Sequence, residues 1–562
     1  MTPRRAWMDV DCTVPTARPR ILLISPRFPP SFWSFGYIKH IGGFRAVMPP
    51  LGLAILGALT GPEFDVTIVD ENIERIDFDA RCDIVALSAM AIQEQRLFEI
   101  ADRFRRRGVL VCMGGPICNV LPERCRPHCD VLFEGEGEYT WPQFLEDWRR
   151  GTHRAHYVQS EQIDMRDSPA PRLDLVETRH YRVGSIQTTR GCPFKCEFCD
   201  IIVTYGRNVR TKPIEAVLQE LERWAARGVD FVTITDDNLV GNRAYCKQML
   251  KAVGDWNRAR RVPISFYAEM SIDAVRDSEL LELCRHANIT EIFLGIETPR
   301  KAGLKETKKA QNVAVDLVKS VKQIQSYGMV TVAGMIVGFD SDDARIFDDQ
   351  YDYLQAAGIP IAMIGLLQAI PRTPLYERLQ AAGRLRAPAQ GNNTLSFTNI
   401  TPVCMTYEQL VNGYRRLFAR VYELDALGDR WLANVRQWRT AERPWSQRPL
   451  GRLRPFMLVQ LFYILAWYLR RPSRARFLAR MIRGTLAIYP RALPQTVSYL
   501  AYFIHLREYA ERVVAREWRF NYCLDEVDTS ENRFGEGGRI NMVKRTPKVP
   551  ASLDARSSEA GS

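Results

Sequence analysis

The sequence predicts an α/β protein in three parts: a doubly wound parallel sheet, a partial barrel of six β/α units, and a mainly helical C-terminal extension. Three observations carry this. Short apolar runs alternate with helix-periodic segments up to about residue 150. The alternation resumes at 184 and continues to 371. From about 383 it gives way to helical stretches rich in arginine and aromatic residues. Strand–helix alternation makes neighbouring strands parallel and lays the helices over the sheet faces.

In the first part, "RILLIS" (20–25) reads as a buried strand after a frayed arm at 1–18. "PPLGLAILGALT" (49–60) has helical spacing, with prolines at its start, where a helix tolerates them. "FDVTIVDE" (64–71), "CDIVALSAM" (82–90), "VLVCMGGP" (109–116) and "DVLFEGEGE" (130–138) read as strands. "EQRLFEIADRFRRRG" (94–108) is an amphipathic helix closed by glycine. Residues 19–150 therefore form a Rossmann-like domain, whose ligands would sit at the carboxyl ends of its strands. The polar segment 151–180 reads as a linker. In the second part, 181–382, the candidate strands are "GSIQTTR" (184–190), "FVTITDD" (231–237), "ISFYAEM" (264–270), "EIFLGIET" (291–298), "VTVAGMIVGFD" (330–340) and "IAMIGLLQAIP" (361–371). Helical segments at 213–228, 242–256, 278–287 and 314–328 lie between them. Barrels of this kind do their chemistry at the carboxyl ends of the strands. Residues 383–540 form the extension, and 541–562, poor in hydrophobics, read as a disordered tail.

Hydrophobic residues make up 46% of the 562 and charged residues 25%, which suits real cores. There are 13 cysteines, and "MTPRRAWMDVDCTV" holds no apolar run of signal-peptide length. A cytoplasmic, reducing compartment is expected, where clustered cysteines mean metal rather than disulfides. The net charge of +12 is uneven: residues 451–520 hold 13 Arg and no Lys, against three Glu. Apolar runs accompany these arginines, as in "PFMLVQLFYILAWYLRRPSRARFLARMIRG" (455–484). Its stretch 456–469 is 14 residues, short of the ~20 a spanning helix needs. Two readings stay open for it and for "QTVSYLAYFIHLREY" (495–509). One is an interfacial helix at the inner face of the membrane, with Trp467, Tyr463 and Tyr468 at headgroups and arginines on anionic lipid. The other is a buried helix of a cap over the barrel. No zinc finger or RNP-like motif accompanies the arginines, so nucleic acid is not an expected partner.

The densest chemistry lies in "RGCPFKCEFCD" (190–200), where Cys192, Cys196 and Cys199 follow the first barrel strand directly. Three thiolates suit an iron–sulfur cube with one open iron, and an open site is what a catalytic metal needs. A structural zinc with a fourth ligand from Asp200, His180 or His286 is the alternative. Cys125, Cys129 and His128 make a weaker second candidate, since buried cysteine is commonly just a small hydrophobe.

The Cys-x3-Cys-x2-Cys spacing after a barrel's first strand resembles the radical S-adenosylmethionine (SAM) superfamily. The resemblance implies a 4Fe–4S cluster on the three cysteines, with SAM as the missing fourth ligand and a 5′-deoxyadenosyl radical as product of its cleavage. It also implies roles at successive strand ends. Asp236, Asp237 and Asn238 of "TDDN" stand where the superfamily has a Gly-Gly-Glu type motif holding the SAM amino group. Glu297 of "GIET" would bind the ribose, and Gly334 and Gly338 of "GMIVG" would lie along adenine. A Rossmann-like domain ahead of such a barrel is similar to the cobalamin-binding class of the superfamily. There Gly114 and Gly115 would let backbone approach the corrin or its nucleotide tail. The Asp-x-His-x-x-Gly motif that supplies a lower cobalt ligand is absent, and no His lies between His40 and His128.

"PRFPPSFWSF", "RGCPFKCEFCDIIVTYGRNVRTK", "DDNLVGN", "FLGIETP", "QN" (311–312), "VGFDSDDARIFDDQ" and "MIGLLQAIPRTPLYERLQAAGRL" together look like the subfamily containing the hopanoid C-2 methylase, from about residue 20 to 425. This implies a cobalamin-dependent C-methyltransferase acting on an unactivated carbon of a hydrophobic polycyclic substrate, through methylcobalamin. The partners implied are that substrate and a reducing electron donor such as flavodoxin or ferredoxin. No acid–base catalytic residue is assigned, because an unactivated C–H has no acidic proton. A radical cyclase, oxidase or rearrangement enzyme of tetrapyrrole or natural-product biosynthesis, without methyl transfer, is the second reading. A non-catalytic iron–sulfur or zinc binding protein is the third.

Overall fold

The structure, a computed structural model, describes residues 18–439 and 455–511. The arm expected before residue 18 and the disordered tail expected at 541–562 lie outside the described residues, as does the extension beyond 511.

Six strands build the first sheet: β1 (Arg20–Ser25), β2 (Asp65–Asp70), β3 (Ile84–Ser88), β4 (Leu110–Gly114), β5 (Val131–Glu134) and β6 (His156–Val158). Their order is β2-β1-β3-β4-β5-β6, and every pairing is parallel. The direction of winding switches between β1 and β3. One apolar cluster covers each face, the first around Val85, Leu97, Phe104 and Met113, the second around Leu23, Ile84, Trp141 and Phe144. The sixth strand corrects the reading of 151–180 as a linker. Three residues in a polar context carry too little periodicity to be read as a strand, yet β6 pairs with β5 along the sheet edge.

The second sheet contains β7 (Gly184–Ile186), then, after the short antiparallel pair β8 (Thr189–Arg190) and β9 (Arg210–Thr211), the strands β10 (Phe231–Ile234), β11 (Ser265–Met270), β12 (Ile289–Glu297), β13 (Val330–Val337) and β14 (Ile361–Leu366). The order β14-β13-β12-β11-β10-β7 is sequential and all parallel, the open six-stranded barrel that the alternation predicts. The helices between strands start where side chains supply the first-turn acceptors. Asn242 caps Arg243–Arg258, Asp277 caps Ser278–Ala287 and Asp316 caps Leu317–Ser326. Along β12, Ile292, Leu294 and Ile296 are fully buried under those helices, and alternation turns Glu291, Phe293 and Gly295 toward the lumen.

The extension begins later than expected. Residues 383–406 are an irregular segment held by side chains: the Asn399 amide donates to the Ala369 carbonyl at 2.8 Å and its oxygen accepts the Ala369 N–H. Helices then run over Tyr407–Val421, Leu424–Trp438, Pro455–Leu469, Pro472–Ile488 and Leu493–Tyr509. The last of these settles one open reading. Tyr499, Leu500, Phe503, Ile504 and Leu506 are all buried, so 495–509 is a core helix and not an interfacial one. It packs on Trp431, whose ring stacks on Tyr499, and on the loop after β1, where His505 faces the Phe32 carbonyl at 2.9 Å. Among the described residues, no helix is long and apolar enough to cross a membrane.

Candidate active site

The loop 190–200 leaves β8 at the barrel mouth, and all three of its cysteines are free thiols. Side-chain amides point N–H groups at two of the sulfurs: Asn238 at Cys192 (4.0 Å) and Gln311 at Cys196 (3.7 Å). Burial pushes the Cys199 and Cys192 thiols up, so a thiolate persists there only beside a cation or metal. This donor set fits an iron–sulfur cluster: soft sulfur ligands, amide donors to sulfur, and low solvent access. Among the described residues, no three His, Cys, Asp or Glu side chains gather around one point as a single bare ion requires. His286 is engaged with Asp255 at 2.8 Å. Cys125 and Cys129 lie in the first sheet's apolar core, while His128 stacks on Phe98 and pairs with Asp102. The second metal candidate is therefore not assembled.

The strand-end carboxylates divide. Asp236 was expected to meet the SAM ammonium, but its oxygens are occupied: it accepts the Thr188 and Thr189 N–H groups at 2.6 and 3.0 Å and both threonine hydroxyls. Its work is to pin the β7–β8 turn. Asp237 accepts the Gly191 N–H at 2.8 Å, beside Cys192, and burial raises its carboxyl to about 6. The Asn238 oxygen accepts the Ser271 N–H at 3.1 Å, so this residue bridges the third strand to the cysteine loop. Glu297 has φ 64°, left-handed backbone that a glutamate adopts only where its surroundings impose it. The pairing of β12 with β13 slips at this point, and Lys309 binds the Glu297 carboxylate. Burial opposes the Lys309 charge, but Glu297 and the Cys196 sulfur outweigh it and hold the ammonium charged. Gly334 sits where a Cβ would come within 2.7 Å of the Phe293 ring. Gly338 has φ 110°, with its N–H held by Asp342 at 2.9 Å.

Sequence reasoning missed Glu269 and Lys309, and gave Gln311, quoted within "QN", no role of its own. Glu269, next to last on β11, opens into the lumen; enclosure by the barrel wall, then the nearby charges of Asp237 and Glu297, raise its carboxyl to about 7. Its strand position was the available signal, since it faces the same side as Tyr267 two residues before. On the lumen wall Trp33, from the loop after β1, packs edge-on to Phe293 and donates to the Met363 sulfur at 3.0 Å.

In the first sheet a cleft lies at the ends of β3, β4 and β5, lined by Leu56, Ser88, Gly114, Gly115, Glu136 and Tyr205 among others. Gly115 has φ 86°, and a Cβ there would fall 2.5 Å from the Ser88 hydroxyl. This is a cradle that a side chain would fill, and it fits the close approach of a cofactor's backbone or ring edge. No His is among the lining residues. The cleft is joined to the cysteine loop by a buried ion cluster. Arg190 pairs with Glu136 (2.9 Å) and Glu138 (2.7 Å), and Arg210 pairs with Glu136 (2.7 Å).

Comparison with known proteins places these features. Residues 186–354 match the radical SAM superfamily, and 373–518 match a domain of unknown function, DUF4070. An uncharacterised methyltransferase of Synechocystis sp. is 33% identical over 502 residues, spanning 88% of this chain and 92% of that protein. The hopanoid C-2 methylase of Rhodopseudomonas palustris is 34% identical over 420 residues, 73% of this chain and 78% of that one. The solved structure of OxsB, a cobalamin-dependent SAM radical enzyme with aqua-cobalamin bound, superposes with a TM-score of 0.58 at 15% identity, covering 88% of this chain and 80% of that one. The chain belongs to the radical SAM superfamily, in the subfamily of methyltransferases with a cobalamin-binding-type front domain that includes the hopanoid C-2 methylase.

Proposed function

We propose that this methyltransferase acts on an unactivated carbon of a hydrophobic polycyclic lipid of the hopanoid kind. The observation that carries this reading is the 34% identity to the hopanoid C-2 methylase across 78% of that enzyme. The aromatic and thioether wall of the lumen, Trp33, Phe293 and Met363, supports it by offering apolar surface to a rigid hydrocarbon.

When bound, the cluster and SAM supply the hydrogen-abstracting radical, and cobalamin carries the methyl group. The residues supply the rest. Cys192, Cys196 and Cys199 hold the cluster, and the Asn238 and Gln311 amides orient two of the sulfurs. Asp237 and Glu269 are the carboxylates left to accept from the SAM ammonium, and Lys309 aims Glu297 at the ribose. Gly334 and Gly338 would present the β13 backbone to adenine, with Phe293 packed closely against Gly334. Gly114 and Gly115 floor the cobalamin cleft. The protein works in the cytoplasm with a low-potential electron donor of the flavodoxin or ferredoxin kind, in peripheral contact with the inner face of the membrane.

The test is deletion of the gene followed by mass spectrometry of total lipid. Loss of a polycyclic lipid one methylene heavier than one that remains, restored by the intact gene and not by Cys196→Ala, is the expected result. An unchanged lipid profile in cells that express the protein would overturn the substrate assignment.

A further inference from the structure

We propose that the helix Pro455–Leu469 is a membrane-docking element that lies in the surface of an anionic bilayer. It grips the body of the protein by a narrow stripe, with Ile464 and Tyr468 buried and the Tyr468 hydroxyl bonded to the Leu500 carbonyl at 2.9 Å. The rest of its apolar surface faces outward. Leu458, Val459, Phe462, Leu465 and Leu469 are exposed, Phe462 by 67% and Leu469 by 63%. Of the 15 exposed large hydrophobics among the described residues, seven lie on this one helix. Such concentration marks an interaction surface, where scattered exposed residues do not.

The occupant follows from charge. Arg470 and Arg471 close the helix, and Arg476 and Arg483 follow on Pro472–Ile488. All four are exposed and have no ion pair among the described residues. The nearby Arg474 and Arg480 are used internally, stacking on Trp467 and pairing with Asp429. No acidic residue lies on Pro455–Leu469 or on Pro472–Ile488. An apolar helix flanked by unpaired arginines suits lipid tails beside phosphate headgroups. A soluble protein partner would have to supply a comparable apolar face together with a cluster of carboxylates. The geometry also revises which aromatics could meet headgroups. Trp467 is tied to Glu508 at 3.1 Å and Tyr468 is buried, so the contact belongs to Phe462, Tyr463 and the leucines.

The purpose of this docking rests on the lipid-substrate reading above, but its test does not. Full-length protein is mixed with phosphatidylcholine vesicles, with or without phosphatidylglycerol, and floated on a density gradient. No cofactor or substrate is needed. The wild type is expected to float with the anionic vesicles and to be released by salt. Phe462→Asp, at an exposed position, should abolish flotation with its circular dichroism unchanged. Replacing Arg470 and Arg471 by Glu should weaken partition into anionic vesicles by roughly tenfold or more and leave neutral vesicles unaffected. Wild-type protein that stays at the bottom of both gradients overturns the proposal. So does flotation that Phe462→Asp leaves intact, or a dimer in light scattering that Phe462→Asp dissolves, since a second copy would then be what covers the helix. Any of these failures leaves methyl transfer untouched.

Discussion

Replacing Arg190 by Met should loosen the joint between the two sheets before it harms either one. Arg190, Arg210, Glu136 and Glu138 are each at most 9% exposed at the side chain, and they form two positive and two negative charges in contact. Removing one partner of a buried ion pair costs about 3–5 kcal/mol, because a charge is left without compensation. Glu136 keeps Arg210 in the variant, whereas Glu138 keeps no cation and is left with the Ser168 hydroxyl at 3.1 Å and its own backbone N–H. The lower end, about 3 kcal/mol, is therefore expected. Calorimetry of Arg190→Met should split off an early transition from the first sheet. Adding Glu138→Gln removes the orphaned charge, so the double variant should be more stable than Arg190→Met alone. The pH dependence has a definite sign. Burial alone would raise the Glu138 carboxyl, but the charge and hydrogen bond of Arg190 override it and hold it below the usual range. A depressed carboxyl stabilises the fold above its unfolded value of about 4.3, and that contribution disappears as pH falls through the folded value. The gap between wild type and Arg190→Met should thus narrow below about pH 4. A variant that melts in one transition at the wild-type temperature, or a double variant no better than the single, would refute the reasoning.

Three further outcomes are expected. Lys309→Met should leave iron content intact yet weaken SAM binding by roughly tenfold, read by calorimetric titration of the reconstituted protein, because Glu297 loses the cation that aims it. Gly115→Ala places a side chain at φ 86° against the Ser88 hydroxyl, so cobalamin retained after gel filtration should fall sharply while the cluster spectrum stays. Asp342→Asn should stabilise the protein increasingly as pH rises from about 4 to about 7. Burial raises the Asp342 carboxyl to about 7, and ionising it in the native state costs on the order of 4 kcal/mol. Urea midpoints that track wild type across that range would contradict this.

The strands of both sheets other than β6 were legible because parallel strands buried on two faces read as unbroken apolar runs, as "RILLIS" and "DIVALS" do. The cysteine loop was legible because its spacing is local. What escaped was relational. Asp236 looks like its neighbour Asp237 on paper, and only the packing of Thr188 and Thr189 makes one a structural acceptor and the other an open one. Lys309 is one of two adjacent lysines, and nothing local says which of them meets Glu297. The aromatic-rich runs 456–469 and 495–509 both admit an interfacial reading, yet the more apolar helix is the exposed one and the other is buried. The second helix is covered by Trp431, whose ring stacks on Tyr499, and by the segment at Phe32, whose carbonyl faces His505.

The contact between His505 and Phe32 closes 473 residues of chain. During synthesis at roughly 5–20 residues per second, the loop carrying Trp33 waits about half a minute or longer for the helix that will hold it. Until that helix arrives, the Phe32 carbonyl lacks the His505 partner it has in the finished fold. Trp33, which that segment sets against Phe293 and Met363, is therefore among the last parts of the lumen wall to be fixed although it is among the first to be made.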